Sequence, residues 1–127
     1  MAVTDTIGLG LGETIIKSTD VDQSSDDNLF GGAGTLTSLQ IIVGGSGTAA
    51  NWHLLSLSDS VITVGTDEPE IKIPLREGTT LTVHITDAGS NKPGIDFTTL
   101  SEWGLGASDY NDTSAPSNAI VSYVTVK

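Results

Sequence analysis

Glu70 to Thr86 reads EIKIPLREGTTLTVHIT, two short runs joined at Glu77-Gly78. In the first run Ile71, Ile73 and Leu75 share one face and Lys72, Pro74 and Arg76 the other. In the second, Leu81, Val83 and Ile85 alternate with Thr82, His84 and Thr86. A period of two belongs to a strand with one face on a core and one in water. With a Glu-Gly turn between the runs, the pattern predicts a β-hairpin with one wet face. Pro74 has no N–H to give to a ladder, so its side of the strand is expected at a sheet edge or a bulge.

Outward from this stretch the same grammar repeats. Strands are expected at Glu13 to Ser18, Thr35 to Val43, Trp52 to Leu57, Val61 to Val64, Gly94 to Thr98, Trp103 to Ala107, and in the closing NAIVSYVTVK from Asn118. Breaks fall at the acidic TDVDQSSDDN (Thr19 to Asn28), at GGAG (Gly31 to Gly34), at GGSGTAAN (Gly44 to Asn51) and at Ser58 to Ser60. No segment has a helical period. About eight short strands with frequent turns give an all-β chain, an antiparallel β-sandwich or barrel, jelly-roll-like. Residues 1–12 are expected to form an extended N-terminal arm and 13–127 a single β-sandwich domain. Ile7, Leu9 and Leu11 would be poor choices for a solvated tail, so the arm is expected to lie against its own body or a neighbour's.

Composition supports the reading. Ser and Thr supply roughly a quarter of the 127 residues and strong helix formers are scarce. A core must come from small aliphatics, because aromatic residues make up 5%. Sixteen acidic against five basic residues leave a net charge of −11, which opposes nucleic acid and anionic membranes as partners. Self-assembly under that charge must rest on shape and apolar contact and strengthen with salt. The chain has no cysteine, hence no disulfide, thiolate metal site or redox chemistry of its own. The opening residues lack the basic and apolar regions of a leader, so the mature chain is expected to begin at or near Met1.

Residue type and spacing define the candidate sites. Asp20, Asp22, Asp26 and Asp27 are the oxygen ligands calcium prefers, but D-x-D-x-x-x-D-D lacks the glycine and closing Glu of an EF-hand, so they are weak calcium candidates beside the alternative of a solvated acidic loop. His53 and His84 stand at no zinc-site spacing, and a hydrogen-bonded structural role is expected of His53. No G-x-S-x-G elbow occurs, GGSG lacks the strand-elbow-helix context, and neither GLGLG nor GGAG has the order of a phosphate loop. No catalytic residue and no cofactor is therefore expected. Each of Trp52, Trp103, Tyr110 and Tyr123 should be a core anchor or a contact; Trp103 and Tyr110, in EWGLGASDYNDTSAPSN, are the candidates for partner contact, with Ile7, Leu9 and Leu11 of the arm.

From about Val61 onward the chain resembles a family of short phage virion proteins, the small jelly-roll-like head decoration or cement proteins of tailed phages. The resemblance is carried by VGTDEPEIKIP (Val64 to Pro74), EGTTLTV (Glu77 to Val83), GIDF (Gly94 to Phe97) and AIVSYV (Ala119 to Val124), and covers roughly half the chain. It implies a non-enzymatic role on the outer capsid surface of a virion: homotrimers, less often monomers, seated on the major capsid protein where capsomers meet. The alternative is a carbohydrate- or receptor-binding module of a tail or fibre, using Trp103, Tyr110 and the acidic loop.

Overall fold

The computed structural model describes residues 3–8, 13–47, 51–87, 89, 92–107 and 109–127; for 3–8 and 87 the description is of backbone alone. The strands are β1 (Val3–Gly8), β2 (Thr14–Thr19), β3 (Gly34–Val43), β4 (Trp52–Asp59), β5 (Ile71–Arg76), β6 (Thr80–His84), β7 (Thr86–Asp87), β8 (Lys92–Pro93), β9 (Ile95–Phe97), β10 (Leu100–Leu105) and β11 (Ile120–Val126). No helix occurs among the described residues, and every strand pair is antiparallel. The larger sheet runs β1-β2-β11-β3-β6, with β9 also on β3; the smaller runs β10-β4-β5, and β7 and β8 make a two-stranded ribbon.

The two larger sheets form a β-sandwich, because their apolar faces share one core. Ile16, Leu39, Ile41 and Val124 come from one side and Leu55, Leu57, Ile73, Leu75 and Leu100 from the other. Burying each such side chain contributes ~1.5–3 kcal/mol. The alternation read from the sequence is what places them: β11 runs buried and half-buried by turns, and in β5 Ile73 and Leu75 are buried between exposed Lys72, Pro74 and Arg76.

The smaller sheet differs, since β4 and β10 are buried on both faces. Leu54, Trp103 and Leu105 turn outward and are covered by Ile62, with Val64 and Tyr110 packed against them. Val61 to Val64 is therefore no strand. It is a loop whose buried Ile62 roofs the sheet, and a short apolar run alone does not separate the two cases.

The expected hairpin is corrected as well. β5 pairs with β4 and β6 with β3, so Glu77-Gly78 is a corner that carries the chain from one sheet to the other. Its amides bond outward, Glu77 N–H to Asn51 O at 3.2 Å and Gly78 N–H to Gly44 O at 2.9 Å. The crossing from β3 to β4 is thereby tied to the crossing from β5 to β6. Pro74 does sit on an edge, as β5 ends the smaller sheet.

Within the arm of residues 1–12, Val3–Gly8 is a strand on the edge of the larger sheet, with Ile7 opposite Ile15 on β2. Leu9 and Leu11 lie outside the described residues.

Candidate protein-contact surface

Three register pairs build one outward row on the smaller sheet: Trp52 opposite Arg76, Leu54 opposite Pro74, and Ser56 opposite Lys72. Leu54 and Ser56 are roofed, but the β5 side of the row stays exposed together with Trp52, at 47% of its surface. Arg76 lies over the Trp52 ring, 5.6 Å from its centroid, and Lys72 over Tyr110 at 5.3 Å. Lys72 also donates to Glu68 Oε1 at 2.6 Å, and this bond, ahead of nearby negative charge, raises its pKa. Lys72 and Arg76 thus stand over aromatic rings with Pro74 between them, and a third cation of the five, Lys17 on the larger sheet, stands over Tyr123 at 5.7 Å. Trp, Tyr and Arg are the side chains in which binding energy concentrates, and stacking holds these ready for a partner.

The candidates read from the sequence fall elsewhere. Trp103 has no exposed surface and is the anchor of the outer layer, which corrects its assignment as a partner contact in this fold; its large ring is what the loops over the smaller sheet pack on. Tyr110 is half-buried and joins the row through Lys72. Lys72, Pro74 and Arg76 were legible as outward positions from alternation, whereas nothing in the sequence marked Trp52 as outward or showed which outward positions would remain uncovered.

Asp20, Asp22, Asp26 and Asp27 do not converge. Asp20 is an exposed left-handed residue (φ 57°), Asp22 caps Ser24 N–H at 2.9 Å, and Asp26 exchanges backbone hydrogen bonds with Glu102. Among the described residues no three His, Asp or Glu side chains gather as a metal site. His53 is fully buried and its Nε2 accepts from the Asn118 N–H at 3.3 Å, which places the ring proton on Nδ1. Exposed His84 lies on β6.

One buried group carries no signal of its role in the sequence. Glu102 of β10 points between the sheets, and the Ser122 hydroxyl of β11 donates to its Oε1 at 2.9 Å. Ser18 of β2 stands near enough to act on the carboxyl, although its Oγ meets no partner at full hydrogen-bonding geometry. Burial dominates and, with the negative charge of Asp26, pushes Glu102 up to about 7 against the pull of the two serines.

The class that fold and surface define is an all-β sandwich with one outward aromatic–cation row. No protein-family model matches the chain, and no curated protein matches its sequence.

Proposed function

We propose that this chain is a non-enzymatic structural protein that decorates the outer surface of a phage capsid, bound to the major capsid protein and working as a homotrimer. The reading is supported by the resemblance of its C-terminal half to capsid decoration proteins and by a sandwich fold suited to presenting a rigid face. The observation that carries it is the row Trp52–Arg76, Pro74, Lys72–Tyr110: preordered, with Trp52, Lys72, Pro74 and Arg76 exposed, and with Lys72 paired to Glu68, in a chain of net charge −11. Such a row offers a partner aromatic surface at small entropic cost.

The test is co-sedimentation with empty shells assembled from the major capsid protein of the same genome. Wild-type chain is expected to pellet with the shells, and Trp52→Ala combined with Arg76→Ala to bind ~10–100-fold more weakly, the loss typical of two contact hot spots. No binding by the wild type would remove the capsid role; equal binding by the double variant would remove the row.

The exposed Trp52 favours one second reading, a glycan-binding module that stacks a sugar on that ring in place of the buried Trp103. A glycan array showing Trp52-dependent hits would select it.

A further inference from the structure

We propose that the free edge of β6 is a strand-addition site for an extended segment of another protein, uncharged or basic along its length. The backbone sets the geometry. Val43 N–H donates to Thr79 O at 2.9 Å and Ile85 N–H to Thr37 O at 3.0 Å, so the odd-numbered residues from 79 to 85 turn their peptide groups toward β3. Strand alternation then aims the N–H and C=O groups of Thr80, Thr82 and His84 away from the sheet. Among the described residues no second strand meets them.

The other edges are guarded in ways this one is not. Along β10, Asp22, Asp26 and Leu29 of the acidic loop take up the backbone of Gly104, Glu102 and Leu100. On β5 the edge is interrupted by Pro74, and β1 carries Asp5 in its middle. Proline, charge and a covering loop are the usual means of blocking strand addition, and among the described residues Thr80–His84 has none of the three. Apolar side chains are also left half-covered there. Leu81 is 38% exposed on the core side, and Ile42 of β3 is 37% exposed on the outer side. One added strand would lie beside Leu81 and shield it.

Charge decides the occupant. A second copy would bring another −11 to this edge, so the homotrimer proposed above is expected to form through other surfaces and the edge is left to a different protein. The outward positions beside β6 on β3, Ser38, Gln40 and Ile42, carry no carboxylate, so a neutral strand meets no local repulsion. Further along the same side of β3, where β9 pairs, Asp59 and Glu70 line an apolar notch with Ile71 and Ile95, while Asp96 there is already paired with Lys92 at 2.9 Å; the negative charge that favours a basic flank is chiefly that of the whole chain.

The test follows backbone amides of the full chain by hydrogen exchange, with a lysine-flanked peptide of alternating threonine and valine as the probe. Exchange at Thr80, Thr82 and His84 is expected to slow by about ten-fold or more at saturating peptide, with β5 unaffected, and a glutamate-flanked version to bind about ten-fold more weakly. Thr82→Pro removes an outward N–H and should abolish the effect; Thr82→Lys, which guards the edge without altering the backbone, should weaken binding by about ten-fold if the proline variant does not fold. The proposal is overturned if millimolar peptide leaves the three amides unchanged, if Thr82→Lys binds the peptide as wild type does, or if the glutamate-flanked peptide binds equally. It is overturned too if these amides are already slow in the free chain, or slow with rising protein concentration alone, which would assign the edge to the chain itself or to a second copy. Capsid attachment through Trp52 is read separately, so either result can stand without the other.

Discussion

Glu102 is buried with a serine hydroxyl, not a cation, as its hydrogen-bond partner, and that burial makes its protonation matter for stability. In the unfolded chain its carboxyl titrates near the ordinary value of 4.5, and in the folded chain at about 7. The folded state therefore holds the proton more tightly. The stabilisation is complete below pH 4.5, falls as pH rises to 7, and is gone above it, amounting to about 3 kcal/mol across the window. Asp59, Asp96 and Asp112 are held below the usual carboxylate range, Asp59 chiefly by the Thr99 and Thr98 amides, so they titrate on the acid side of this window. Urea unfolding at pH 5 and pH 8 should show the wild type losing stability between them, and Glu102→Gln losing much less. An equal loss in both would place the charge effect elsewhere. Trp103→Ala should cost ~3–5 kcal/mol in the same measurement, because the outer layer is built on that ring.

At the scale of elements, the Glu77-Gly78 corner decides which strands become neighbours. Gly78 adopts φ 72°, and a Cβ there would stand 2.8 Å from the backbone nitrogen of Gly47 in the adjacent crossing. Both the left-handed backbone and the close approach require glycine. Gly78→Ala is expected to destabilise by roughly 1–3 kcal/mol in urea unfolding. A variant as stable as wild type would mean that the two crossings do not depend on each other. The first strand is expected to be less demanding, since β1 pairs only with β2 at the sheet edge. Deleting residues 1–12 should leave exchange protection in β3 and β11 intact while amides of β2 exchange about ten-fold faster or more. Loss of protection throughout would make β1 part of the folding unit.

For the whole molecule, sixteen acidic residues against five basic ones repel within and between copies. The screening length falls from ~10 Å at 0.1 M salt to ~3 Å at 1 M, so added sodium chloride should raise the melting temperature and favour the proposed homotrimer. Light scattering at low and high salt reads the second effect; a mass that falls with salt would mean that ion pairs, and not apolar contacts, hold the assembly.

The sequence by itself determined most of the strands, though not β1 or the loop at Val61 to Val64, because alternation and turn residues are local: Ile71, Ile73 and Leu75, or Ile120 to Val126, take their faces from neighbours two positions away. Pro74 likewise announced its edge by lacking a donor. What only the tertiary structure decided was partnership. Whether β5 pairs with β6 or with β4, and whether Trp103 or Trp52 stays exposed, depends on segments dozens of residues away. Glu102 reads as one more surface acid until β10 is laid over Ser18 and Ser122. The open edge of β6 was equally hidden, because a free edge is defined by which strands come to lie beside it, and pairing across a sheet leaves no period in the chain that forms it.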